Sequence, residues 1–210
     1  MNIALIMHEL IVAGGGERQC VSLAQGLQQQ GHEVILYTSA HDSAHCFPDI
    51  CNDLKVKVIG RGRWPWLRKP LFLRGYLDML HLSKTVKTRH EIWQPHHWPA
   101  QWGAVWLKRR LGGTVIWMCN DVPNFHHKAQ QRKTIGLFRA AIHWAYYIYD
   151  RAQNRKVDLT LLLSNWAESQ FKNIYTGNTR VVRSGADRVS VRTGAPVQRR
   201  LLQFLGGAVL

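Results

Sequence analysis

Two hydrophobic periods alternate along the chain. Residues 3–7 (Ile-Ala-Leu-Ile-Met) form a continuous apolar run of strand length, the pattern of a strand covered on both faces. From Glu17 the apolar positions Cys20, Leu23, Ala24 and Leu27 recur at helical spacing, and Gly31 closes that run as a C-terminal cap. Residues 34–37 then read as a second strand, and a glycine cluster, Gly14-Gly15-Gly16, stands between the first strand and the helix. Strand, glycine turn, helix, glycine, strand is the βαβ unit of a parallel sheet. The alternation continues, with strands expected at 56–59, 92–93, 114–118, 159–163 and 180–182 and helices near 71–88, 99–111, 134–155 and 165–175. The last helix is expected to open on Asn165, with Glu168 three residues on in a capping-box pattern. This order predicts an α/β fold, a Rossmann-like doubly wound parallel sheet.

Length and composition narrow the class. The 210 residues are 46% hydrophobic, enough for one domain with a real core, and no stretch has the bias of a disordered or repeat segment. The longest run without a charged residue, 92–107, contains Pro95, His96, His97 and Pro99 and would make a poor membrane-spanning helix. The N-terminus has no basic segment before its apolar run and meets Glu9 early, unlike a secretory signal, so a cytoplasmic location is expected. Cys20, Cys46, Cys51 and Cys119 form no C-x-x-C pair and no zinc-like grouping, which predicts reduced, partly buried thiols and no metal centre.

Charge is the unusual bulk property. The formal net charge is +15, and the excess sits in two stretches. Residues 60–90 carry eight Lys or Arg against Asp78, and residues 128–156 carry seven against Asp150. Such a field attracts polyanions: nucleic acid, an anionic membrane leaflet or a phosphorylated substrate. A solvated basic face without a dedicated partner is the plainer alternative. Residues 60–70 read as an exposed connection. The mixture of cations with Trp64, Trp66, Phe72 and Tyr76 across 61–76 has the composition of a segment seated at an anionic membrane interface.

Candidate chemistry centres on the glycines. In an open α/β sheet, ligands settle at the carboxyl ends of strands, where helix N-termini present free N–H groups to anions. A dinucleotide fingerprint would need a third glycine where Gln19 stands, and an acidic residue closing the second strand, where Tyr37-Thr38-Ser39-Ala40 stands. A P-loop would need Gly-Lys-Ser/Thr, but the glycines run into Glu17. A tight turn alone would also explain them. His96 and His97 follow a strand end, so either imidazole can bind a substrate hydroxyl, or both can be packed or solvated. Asp121 can orient a hydroxyl or serve an Asx-turn with Pro123. Trp98, Trp102 and Trp106 recur at helical spacing, as core packing or as a sugar-stacking platform.

The string Gly14-Gly15-Gly16-Glu17-Arg18, then Leu23-Ala24 and Leu27, then Gly31-His32-Glu33-Val34, resembles the opening of glycosyltransferase family 4. The resemblance continues in order through His96-His97-Trp98, through 114–121, through Leu161–Ser164, and through Val181-Val182-Arg183-Ser184-Gly185-Ala186-Asp187, where Arg183-Ser184 replaces the family's usual Pro-Asn. It implies one half of a GT-B architecture. Residues 1–187 would be the N-terminal, acceptor-side domain, and residues 188–210 a linker with the truncated start of a C-terminal, donor-binding domain. It further implies a retaining, metal-independent transfer of a sugar from a nucleotide-sugar co-substrate to a glycan or lipid-linked acceptor, with no other cofactor. Gly14, Gly15 and Gly16 would approach a phosphate, and His96, His97 and Asp121 would be the catalytic-site residues. The chain alone is then expected to be an incomplete enzyme, peripheral at the inner face of a membrane, that does not bind nucleic acid. The rival reading is a non-catalytic basic module for nucleic acid or anionic membrane.

Overall fold

The computed structural model describes residues 1–61, 71–122 and 137–183. Seven strands, β1 (Asn2–Met7), β2 (Glu33–Thr38), β3 (Val56–Val58), β4 (Ile92–His96), β5 (Thr114–Cys119), β6 (Leu159–Leu162) and β7 (Thr179–Val181), form one sheet in the order β3-β2-β1-β4-β5-β6-β7. Every adjacent pair is parallel. The helices are α1 (Gly15–Gln29), α2 (Pro48–Cys51), α3 (Leu71–Thr85), α4 (Ala100–Leu111), α5 (Leu137–Asn154) and α6 (Asn165–Ile174).

The continuous apolar strands bury both faces. In β1, Ala4 and Ile6 face one core while Ile3, Leu5 and Met7 face the other; Ile35 and Tyr37 are likewise opposed to Val34 and Leu36 in β2. Cys20, Val21 and Ala24 of α1 close the smaller core, and residues of α3, α4 and α6 close the larger one. This two-sided covering is the doubly wound arrangement. Strand order reverses between β1 and β4, because β2 and β3 are laid down on one side of β1 and β4 to β7 on the other. That reversal is the topological switch point, where such sheets open a crevice at their carboxyl rim.

Three local expectations are corrected. The first helix begins at Gly15, not Glu17, because Gly15 and Gly16 themselves adopt helical backbone after Gly14. The cap of α6 is Ser164, whose Oγ accepts from the Ala167 N–H at 3.1 Å. Glu168 is therefore one position too far along for a capping box and pairs instead with Thr179 Oγ1 (2.5 Å) and Lys172 (2.9 Å). Trp98 lies before α4, so the three tryptophans do not share one helix. Trp102 is fully buried and Trp106 packs against the larger core, which makes this pair core material. All four cysteines are free and buried. Burial pushes the Cys46 thiol up to about 11, chiefly by desolvation. The segments 62–70 and 123–136 and the whole of 184–210 lie outside the described residues. So, therefore, do most of the 61–76 stretch, the end of the 181–187 motif and the expected 188–210 linker.

Candidate functional site at the switch-point rim

The carboxyl ends of β1 and β4 bring the glycines and the histidines together. Gly14 is the N-cap of α1, with extended backbone and no side-chain cap, and its carbonyl accepts the first helical bond, from Arg18 N–H at 3.0 Å. The amides of Gly15, Gly16 and Glu17 precede that bond and have no helical acceptor. The helix dipole adds positive potential at the same point. Glu17 turns its carboxylate back over Gly14, where a Cβ would stand 2.4 Å from Glu17 Oε2.

His97 completes the contact from the other strand. A Cβ on Gly16 would fall 1.7 Å from His97 Nε2, so only glycine lets the first turn of α1 lie against the imidazole. His97 has φ of 60°, in the left-handed region, a cost of roughly 1–3 kcal/mol for a non-glycine residue. That turn ends β4, and the His97 N–H donates to the Met118 carbonyl at 3.2 Å. Asn120 Nδ2 approaches His97 Nε2 at 3.4 Å from the end of β5; an amide N–H donating there leaves the ring proton of the neutral imidazole on Nδ1.

The two neighbouring histidines thus occupy different environments. His96 is the last residue of β4, fully buried beside Met7 and Met118, and neither ring nitrogen has a hydrogen-bond partner among the described residues. Desolvation, with a smaller contribution from His97, pushes its pKa down to about 3 and keeps it neutral. It is enclosed below the rim, whereas His97 is partly exposed at it. Asp121 is exposed at the bend after β5, one residue beyond Asn120, and its carbonyl accepts from the Cys119 thiol at 3.6 Å.

Sequence reasoning missed the polar cluster beside these groups. His8 Nε2 lies 3.2 Å from Asp78 Oδ2, and Glu9 Oε1 pairs with Arg61 at 3.0 Å and with Arg74. His8, Glu9 and Asp78 offer metal-ligating atoms within 4.8 Å of one another, but Arg61 and Arg74 already neutralise Glu9, and Arg74 Nε lies 3.8 Å from Asp78. The cluster therefore reads as a structural ion-pair network tying β1 to α3. Apart from Arg74 and Asp78 on one helix, its partners are more than 50 positions apart, so no local signal announces the cluster. Pro99 seats α4 against α3: a Cβ on Gly75 would stand 2.8 Å from Pro99 Cγ.

Glycines, imidazole and amide thus meet at the carboxyl rim of β1, β4 and β5. The sequence profile described as Glycosyltransferase Family 4 matches residues 13–189. The chain belongs to this family. Within it, the chain is similar to the alpha-1,3/1,6-mannosyltransferase ALG2 of Rhizomucor pusillus, 40% identical over 97 residues, which are 46% of this chain and 20% of that one. ALG2 of Saccharomyces cerevisiae is 53% identical over 60 residues, 28% of this chain and 12% of the other. The solved UDP-glucose complex of Anabaena Alr3699/HepE superposes with a TM-score of 0.63 at 15% identity, over 98% of this chain and 50% of that one, a likeness of fold. The chain thus spans about half of that solved relative, and its matches cover a fifth or less of those mannosyltransferases. The parallel sheet is the Rossmann-like unit of the GT-B glycosyltransferases of this family.

Proposed function

We propose that this chain is the acceptor-side domain of a retaining glycosyltransferase that moves a hexosyl group from a nucleotide-sugar to a hydroxyl of a glycan or lipid-linked acceptor. The reading rests on one observation: Gly16 and His97 meet edge to edge at the switch point, beside amides with no helical acceptor. In that crevice the α1 amides hold a phosphate, of the donor or of the acceptor, and His97 Nδ1–H donates to a sugar hydroxyl. Asn120 fixes the tautomer that makes this donation, and Asp121, one residue further along the rim, accepts from the incoming hydroxyl. No side chain here is placed as a covalent nucleophile. Catalysis then comes from holding the two substrates in line and from stabilising the departing diphosphate.

The mannosyltransferase names of the relatives make a mannosyl nucleotide the first donor to try; a lipid-linked glycan is the acceptor this proposal tries first. Among the described residues no helix is long and apolar enough to cross a membrane. A radiolabelled-sugar transfer assay tests the proposal. The chain alone should transfer nothing, and transfer should appear when a nucleotide-binding domain of the same family is supplied, separately or fused. No transfer from any nucleotide-sugar, with both parts folded and a glycolipid acceptor present, contradicts it.

A further inference from the structure

Helix α5 carries polar groups on its buried side and apolar ones in water. Asp150, Gln153 and Asn154 are buried there beside Ala140 and Tyr147, whereas Ala141, Trp144, Ala145, Ile148 and Ala152 are exposed. These five positions are spaced three, four, seven and eleven residues from the first, one face of a helix. Trp144 is 51% and Ile148 53% exposed, so two large apolar side chains stand in water. Surface helices of ordinary domains show the opposite arrangement.

This arrangement has a local cause. The Asp150 carboxylate accepts from Gln101 Nε2 (3.0 Å), Trp102 Nε1 (2.6 Å) and the Tyr175 hydroxyl, which anchors the polar side of α5 onto α4 and the end of α6. With its polar groups used inside, α5 turns an apolar face outward. That face continues into a groove of about 240 Å³ lined by Tyr76, Ala145, Tyr146 and Tyr149. Its charged neighbours have one sign. Arg151 lies beside the face, Arg155 and Lys156 follow it exposed, and the only acid of α5 in the described part is the buried Asp150.

We propose that the outer face of α5 docks on an anionic lipid leaflet, with Trp144 and Ile148 inserted at the acyl boundary and Arg151, Arg155 and Lys156 against the headgroups. Apolar stripe, tryptophan and one-signed basic flank together are what an in-plane interfacial helix requires. The net charge of +15 draws the molecule to the same surface. The inference deepens the reading of a glycolipid acceptor: α5 starts in the crossover that leaves the β5 end of the crevice rim. Lying on a leaflet, it holds that rim beside the headgroups, where a lipid-linked phosphate stands. The helix is about 27 Å long at 1.5 Å per residue, long enough to span several headgroups in plane.

Flotation of the full chain with phosphatidylcholine vesicles, with and without phosphatidylserine, tests this. The wild type should float with the anionic vesicles and not the neutral ones in low salt. The double variant Trp144→Ser/Ile148→Ser should lose at least about tenfold in partitioning, and Arg151→Glu/Arg155→Glu should lose its salt-sensitive part. Trp166→Ser, which removes a 73% exposed tryptophan on α6, should bind as wild type. Unchanged binding of Trp144→Ser/Ile148→Ser, or no binding by wild type, overturns the proposal. So does a wild-type dimer in sedimentation that this double variant dissolves while no vesicle is bound, since the face would then pair two copies. None of these readouts involves sugar transfer, so failure here is separate from failure of the transferase reading.

Discussion

Replacing Asp150 with asparagine should make the protein acid-labile. Two buried groups titrate in opposite senses. The Asp150 carboxyl is pushed up from its ordinary 3.8 to about 6, mainly by desolvation and against the hydrogen bonds from Tyr175, Trp102 and Gln101. The fold therefore binds its proton more tightly than the unfolded chain does, and this contribution to stability is lost as pH rises from about 4 to about 6. His96 is pushed down from 6.5 to about 3, so the fold rejects its proton. That contribution is complete above about pH 6.5 and is lost as pH falls toward 3. Between pH 4 and 6 each slope is about 1.4 kcal/mol per pH unit and their signs oppose, so the wild type should be nearly flat there.

Asp150→Asn keeps an acceptor for Trp102 and Gln101 and uncovers the His96 slope, with a loss of about 3 kcal/mol on acidification from pH 6 to 4. His96→Leu uncovers the opposite one, a gain of similar size over the same window, and adds about 1 kcal/mol at neutral pH by removing two unsatisfied ring nitrogens. Urea midpoints at pH 4, 5, 6 and 7 read both effects. Parallel profiles for the three proteins would contradict the assignment. Asp150→Ala is harsher. It strands the donors of Gln101, Trp102 and Tyr175, and at about 1–3 kcal/mol for each buried group left unsatisfied it should come close to unfolding the domain.

The second large effect separates two adjacent glycines. A Cβ on Gly15 meets nothing within 4 Å, so Gly15→Ala should gain up to about 1 kcal/mol from helix propensity alone. A Cβ on Gly16 would sit 1.7 Å from His97 Nε2, so Gly16→Ala must expel the imidazole. The ring would lose Asn120 and leave the rim. We expect net destabilisation and at least about a tenfold loss in binding of a diphosphate-bearing sugar, equivalent to about 1.4 kcal/mol. His97→Ala in the Gly16→Ala background should restore stability but not binding, because the clash disappears and the hydroxyl contact does not return.

Much of this was legible in the chain because the decisive signals are local. β1, α1 and β2 follow from an apolar run, a glycine cluster and a 3.6-residue period within the first 40 residues. The position of His97 follows from an apolar strand that ends in a polar pair. What escaped depends on contacts far apart in sequence. Nothing near His8 foretells Asp78, 70 residues away, and nothing near Asp150 foretells Trp102 or Tyr175. The difference between His96 and His97 was likewise hidden, since it depends on where β4 ends: the strand runs to His96, three residues beyond the 92–93 that the hydrophobic pattern suggests, which buries the first imidazole and leaves the second at the rim. Helix α2 is a single turn, opened by Phe47 at φ of 50°, too short to show a period. The cap at Ser164 was misplaced by one residue because Ser164 and Asn165 are both good capping residues, and only the extended backbone at Ser164 decides between them.

The claim that the crevice between β1 and β4 holds a sugar-linked phosphate is tested most directly by the amide resonances of Gly15, Gly16 and Glu17. In a titration of the isotopically labelled chain with a nucleotide diphosphate-sugar or a glycan diphosphate, these amides and the His97 imidazole should shift together and saturate. Gly16→Ala should move the midpoint to at least about tenfold higher ligand. Saturable shifts that leave residues 14–17 and 97 untouched, or no shifts at millimolar ligand with the chain folded, would contradict it.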